Sequence, residues 1–538
     1  MKKNITISPK WAYLFISIPI FAAISWSVLI HPLYTSYYAS DFWEHSATIH
    51  EWMRNIWHPG NPHLAIDTGS PRYMPYFFLL TILAKIFELT PIQVLGIGGI
   101  FTIILFLYGV WLFFGLYFKN DWAPFIGLII LLCGWGAGWY WSNCYQLRCL
   151  FYVIPFPSSF VFSASFLSFW LAIKIIRQRE IIWRHLIALG IMSSLMLLSH
   201  PLTGVFAIGS IGLLAVSEPE GSFFRRLLII AVVFVGALVA ELWPYFSVWH
   251  VIFGTNGGES ASWVKAGSFV GYRIKMLNQT HPFYKPQQVF VTIGPGLLGI
   301  PLLFYMAYKR EQFFIISGFI VMSLPFFANL FFPIPLGHRF LFFMVFYLHL
   351  ALIWGILRFH GKVQQLTQHH TVLKSAKIKA GFLFGFLLMC LIWNGGLSAL
   401  ALDNYLVYPN LKYGPMKREP IVADMKRLSL FIPEKAVVMA PMELSWPLPT
   451  FTGKVVAAYH LNPMVADFFS RRNDTYKFFR VETTQETRLK ILKRYNVTYI
   501  LFDGDNMPET VRDSLSEFGF VAHKIDEFVV IKLKNNLI

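Results

Sequence analysis

The residues best suited to chemistry stand together near the start of the chain, in Ser40-Asp41-Phe42-Trp43-Glu44-His45. On a helix, Asp41 and His45 fall one turn apart on the same face, and Glu44 lies within reach. A carboxylate flanked by Phe42 and Trp43 at a membrane-water boundary is partly desolvated and suits a general base. Asp41 could equally cap an interfacial helix, as Asp often does. Further along, Gly69-Ser70-Pro71-Arg72-Tyr73-Met74-Pro75-Tyr76 joins turn formers, aromatic rings and one guanidinium. Arg72 and Tyr73 at headgroup depth could hold a lipid phosphate, or the stretch could be a proline-punctuated turn with a solvated Arg.

Three other places put polar groups where apolar ones dominate. His200, in Ser199-His200-Pro201, interrupts an apolar stretch from Leu186 to Val216, and an ionisable residue there is costly unless paired or functional. Glu241 stands inside the outer end of its apolar segment, as a substrate contact or the partner of a basic side chain on a neighbouring helix. His338 and Arg339 form a dyad among prolines and phenylalanines, fit either for anchoring to headgroups or for forked hydrogen bonding to phosphate. His58 and His63 near Asp67 are separated by two prolines and do not make a metal signature. A divalent metal therefore stays open but without a motif to hold it. The sequence has no Walker loop, no dinucleotide fingerprint and no serine elbow, which argues against ATP-driven transport by this chain alone.

The elements that must position these residues are mostly apolar. The 538 residues are 56% hydrophobic and only 14% charged, values that belong to a bilayer rather than to soluble domains. A net charge of +17 could suggest nucleic acid, but residues 1–402 carry 26 basic and 12 acidic side chains against 19 and 16 in the last 136. The excess thus lies beside apolar segments, where it sets membrane orientation, and no nucleic-acid partner is expected. Stretches of about spanning length occur at 11–30, 94–118, 122–141, 157–176, 183–199, 202–217, 227–247, 288–308, 313–332, 340–357 and 380–402, which makes about eleven spans. With a cytoplasmic N-terminus the inner loops hold 17 basic residues and the outer segments only nine. Residues 403–538 then lie outside, and 75–89, which contains Lys85 and Glu88, reads as a helix in or against the outer leaflet.

Two parts are expected: a transmembrane domain, 1–402, with a long first outer loop at 31–93, and an extracytoplasmic α/β domain, 403–538. In the tail, 436–440 and 454–459 read as strands, 464–479 and 484–495 as helices, 497–503 as a buried strand and 520–533 as a hairpin around Asp526-Glu527. Cys144 and Cys149 share one polar stretch and could pair in an oxidising compartment.

Taken together, an acid just past the first span, a proline-tyrosine turn leading a short helix, about eleven spans and an external α/β tail resemble the GT-C superfamily of membrane glycosyltransferases. Phe451-Thr452-Gly453-Lys454, Asp474 to Phe479 and Ile491 to Ile500 are similar to stretches in external domains of bacterial members. The resemblance implies transfer of a sugar from a polyprenyl-phosphate donor to a lipid, glycan or protein acceptor on the outer face of the cell (inner) membrane. It assigns Asp41, with Glu44 and His45, to catalysis, and Arg72, Tyr73, His200, Glu241, His338 and Arg339 to substrate binding. Families of this superfamily often carry a second acid close to the first, and here only Glu44 stands near Asp41. A lipid-linked saccharide flippase would show repeated halves and midplane polar residues, and none are visible. An outer-face polymerase or ligase would not obviously need the tail.

Overall fold

The computed structural model describes residues 8–34, 41–136, 145–253, 286–367 apart from 330 and 332–335, and 421–534 apart from 461 and 463, with 385, 388 and 392 between them. The chain clusters into two compact units: Met1–Val28, Ile97–Trp243 and Ala266–Lys412 form one, and Leu29–Gly96, Pro244–Lys265 and Tyr413–Ile538 the other. A single division at residue 402 leaves the first outer loop with the spans, whereas the clustering joins that loop to the tail.

The chain is a polytopic α-helical membrane protein with a small sheet toward its C-terminus. Six described helices are long and apolar enough to cross a membrane: Pro9–Leu29, Pro91–Phe118, Pro157–Arg177, Phe223–Leu242, Val289–Lys309 and Gly337–Phe359. Ala123–Cys133, Trp183–Ser199, Pro201–Ser217 and Phe313–Ala328 are shorter apolar helices of the same unit, and Pro75–Phe87 is one in the other. Burial sorts them. The apolar window of Gly337–Phe359 is 89% buried and lies among its neighbours, whereas that of Phe223–Leu242 is only 28% buried and turns Leu227, Ile230 and Phe234 outward, as a lipid-facing helix does. Small residues allow a close crossing: a Cβ on Gly236 would stand 2.4 Å from the Gly190 carbonyl oxygen of Trp183–Ser199.

Two expected spans are interrupted, and the interruptions meet. The helix in the 122–141 segment, Ala123–Cys133, ends at Gly134, and the 288–308 segment consists of Pro286–Ile293, a 3-10 turn at Gly294–Leu298 and Gly299–Lys309. Irregular backbone at membrane depth needs partners within the protein. Gly136 N–H donates to the Thr292 carbonyl, Gly296 N–H to the Gly134 carbonyl, and His349 Nε2 lies 3.0 Å from that same Gly134 oxygen. Position 136 must be glycine, because a Cβ there would overlap the Val291 carbonyl at 1.7 Å. The 380–402 span and Cys144 lie outside the described residues apart from 385, 388 and 392, and Cys149 is buried.

The second unit is built on a five-stranded sheet of β1 (Val437–Met439), β2 (Lys454–Val455), β3 (Tyr499–Asp503), β4 (Gly519–Ile525) and β5 (Phe528–Leu533), in the order β2-β1-β3-β5-β4. The β1 pairings with β2 and β3 are parallel, while β3-β5 and β4-β5 are antiparallel. Side-chain alternation along β3 feeds two cores. Tyr499 and Leu501 pack with Met425, Leu428 and Val438 on one face, and Ile500 and Phe502 with Phe478, Ile491, Leu492 and Leu515 on the other. The expected hairpin turns at Asp526, which adopts φ 51°. The expected strand 454–459 keeps its ladder only at Lys454–Val455, and the helix expected from 464 begins at Phe468. The first outer loop extends the sheet: Leu64 bridges Val455 in parallel, the Val455 N–H donates to the His63 carbonyl at 2.7 Å, and Leu64 joins the first core. This pairing brings the acidic helix of the loop to the tail.

Candidate active site

Helix Phe42–Arg54 starts directly after Asp41 and is buried along most of its length. Asp41 occupies the N-cap position, yet its side chain makes no capping hydrogen bond. Its carboxylate remains 31% exposed, with Oδ1 3.5 Å from His460 Nε2. One turn on, Glu44 is 2% exposed and faced by nitrogen groups. Its Oε2 lies 3.1 Å from Arg72 Nε and 3.5 Å from His63 Nε2, and its Oε1 accepts the His460 backbone N–H at 3.4 Å. The loop holds these partners in place. Asn61 Oδ1 accepts from the N–H groups of His63 and Leu64, Ser70 Oγ accepts from the Arg72 N–H, and the Tyr73 hydroxyl donates to the Gly60 carbonyl at 2.5 Å.

Burial resists a charge on Glu44, but the attraction of His63 and Arg72 outweighs it and holds the carboxyl below the usual carboxylate range. Burial also pushes His63 down to about 4 despite the neighbouring Glu44. At neutral pH His63 is therefore the neutral imidazole, and the standing counter-charge to Glu44 is the Arg72 guanidinium. A carboxylate so tightly held is a poor proton acceptor.

Two turns past Glu44, Glu51 makes a second cluster. Its Oε2 is 2.7 Å from Lys454 Nζ and 3.2 Å from an Arg54 nitrogen, while Oε1 accepts the Gly60 N–H at 3.3 Å. Lys454 also donates to the carbonyls of Asn61 and Pro62. Burial pulls the Lys454 ammonium down and Glu51 opposes this, so the pair fastens β2 to the loop. Helix Phe42–Arg54 makes further contacts with the turn that precedes β2, through Ser46 Oγ to Thr450 Oγ1 at 2.8 Å and His50 Nδ1 to the Pro449 carbonyl at 2.9 Å.

Of the residues singled out in the sequence, the structure brings Asp41, Glu44 and Arg72 into one cluster, with Tyr73 buried nearby. His45 is buried with its ring 4.6 Å from that of Phe77, and the His460 ring stands beside Asp41. The remaining four belong to the other unit. His200 caps helix Pro201–Ser217, its Nδ1 accepting from the Thr203 N–H at 3.2 Å. Glu241 is exposed in the 3-10 turn Ala240–Leu242, past the α-helix that ends at Val239. His338 and Arg339 are half-buried in the 3-10 turn Gly337–Arg339.

Sequence reading missed His460, Glu51 and Lys454 as members of this cluster, and weighed His63 only as a metal ligand. The acids carried a signal, since Glu44 and Glu51 are seven residues apart on one helix and share one face. No local signal marks His460, whose place depends on the pairing of loop and tail. A divalent metal does not fit well here. Glu44 is committed to Arg72, and among the described residues no three His, Cys, Asp or Glu side chains converge as a metal needs.

Comparison with solved structures gives ArnT from Cupriavidus metallidurans bound to undecaprenyl phosphate, with TM-score 0.53 and 12% identity over 99% of each chain. The oligosaccharyltransferase of Archaeoglobus fulgidus in its apo form superposes with TM-score 0.50 and 14% identity, over 91% of this chain and 70% of that one. The chain has the GT-C fold. No family model and no curated protein sequence matches it. With identities this low, the GT-C likeness is one of architecture, and the site has to be argued from its own residues.

Proposed function

We propose that this GT-C protein is a membrane glycosyltransferase that moves a sugar from a polyprenyl-phosphate donor to an acceptor on the outer face of the cell membrane, with Asp41 as general base. The observation that carries this reading is the partly exposed Asp41 carboxylate beside the buried Glu44–Arg72 pair, at the start of a loop helix fastened to the tail. The acceptor hydroxyl attacks C1 of the sugar while Asp41 takes its proton, and the departing phosphate carries the growing charge. Fixed cations near that phosphate are worth several kcal/mol in a water-poor site, about 3 to 4 for a single donor. Arg72, His200, His338 and Arg339 are the proposed cations, with Arg339 favoured for its forked geometry, and Tyr73 and Glu241 are proposed substrate contacts. The solved ArnT supplies the donor class by analogy, since it holds undecaprenyl phosphate.

Purified in mild detergent, the protein should release a polyprenyl phosphate or its glycoside on lipid extraction and mass spectrometry. Recovery of bulk phospholipid alone, together with no binding of added undecaprenyl phosphate, would overturn the reading. The orientation has its own test. Alkaline phosphatase fused after Ile538 should be active, and fusions within 358–379 inactive, because the basic residues there mark the cytoplasmic side. Activity in the second set would place the tail and Asp41 on the wrong face for this reaction.

A further inference from the structure

The tail brings a histidine to the carboxylate proposed as the base. His460 is held from several sides. Its backbone N–H donates to Glu44 Oε1, and its ring stands 5.2 Å, edge-on, from both Trp446 and Tyr459, which stack on each other at 4.1 Å and 9°. That fixes the imidazole with Nε2 buried and 3.5 Å from Asp41 Oδ1, and it makes no hydrogen bond to any other described residue. Such a separation is at the outer limit of a hydrogen bond, and contacts of this kind shorten when substrate is bound. The charged and titratable groups around it are Asp41 and Glu44 from the helix start, Arg72 and His63 behind Glu44, and Tyr459 from the tail.

We infer that His460 is the proton-accepting partner of Asp41, orienting the carboxylate toward the acceptor and taking up the proton that it removes. The inference rests on the glycosyltransferase reading and assigns the tail a part in the reaction. The acceptor oxygen bonds to C1, the bond from C1 to the phosphate oxygen breaks with its electron pair left on the phosphate, and the acceptor proton passes to Asp41. The imidazole then takes that proton on Nε2, restoring the carboxylate, and gives a proton to water from Nδ1, through a ring that is one-third exposed. His460 is a positioning residue in this scheme, acting on substrate through Asp41.

The test uses full-length protein in detergent with a panel of tritiated undecaprenyl-phosphate glycosides, a hexose, a hexosamine and a pentose, and counts label leaving the lipid phase. His460→Gln should lower kcat about tenfold or more with the donor KM unchanged, less than the roughly hundredfold or greater loss usual for a group that exchanges the proton with substrate itself. His460→Ala should be equally slow and recover several-fold on addition of imidazole, whereas Asp41→Asn should not recover. An unimpaired His460→Gln, or a His460→Ala loss that imidazole leaves untouched, overturns the inference. If that happens while the wild type is active and Asp41→Asn is dead, only the role of His460 falls. A wild type that transfers no label and binds none of the panel overturns the parent reading as well.

Discussion

Asp41→Asn is expected to leave a folded, membrane-inserted protein whose transfer rate is reduced at least about a hundredfold, the usual scale for losing a general base. Asparagine keeps the shape and most hydrogen bonds of the side chain and removes only basicity. Because the Asp41 side chain makes no capping bond to helix Phe42–Arg54, the substitution should cost that helix little. Lipid binding should survive, since a phosphate gains nothing from a carboxylate beside it. The decisive comparison is transfer by Asp41→Asn against thermal stability of Asp41→Ala. Near-normal transfer in the first, with lowered stability in the second, would make Asp41 a structural residue and remove the base from the proposal.

The parts of this protein legible in its sequence are those with short-range causes. Apolar runs gave the helices. In the tail, alternation marked β3 and the β4-β5 hairpin closely. What was not legible depended on contacts between distant segments. The helix breaks at Gly134 and Gly294 are stable because each supplies hydrogen bonds to the other, so neither stretch alone departs from the pattern of a span. The same holds at the candidate site. Asp41, Glu44 and Arg72 were visible as suitable chemistry, but His460 reaches them only because Leu64 and His63 pair with Val455, a register that no local pattern specifies.

Arg72→Met should produce the largest loss of stability. Glu44 is almost fully buried, and with His63 neutral its charge is balanced chiefly by Arg72. Breaking a buried ion pair from one side costs about 3–5 kcal/mol, because an uncompensated charge remains. The melting midpoint of the unit that carries the tail, followed by limited proteolysis, should fall by on the order of 10 °C for a unit of this size. The loss should also depend on pH with a definite sign. The folded-state value of Glu44 is lowered, so the pair contributes above the unfolded carboxylate range, about 4.3, and its contribution is lost as pH falls through the depressed folded value. The gap between wild type and Arg72→Met should therefore be wide at pH 7 and close in acid. The double variant Glu44→Leu with Arg72→Met separates the pair from mere packing, because replacing both charges by apolar groups can be nearly neutral in stability. It should regain most of the lost midpoint while remaining slow in transfer, since the acceptor for the His460 N–H is gone. If the double variant melts as low as the single one, the buried charge on Glu44 is not what Arg72 holds in check, and the electrostatic account of the site fails.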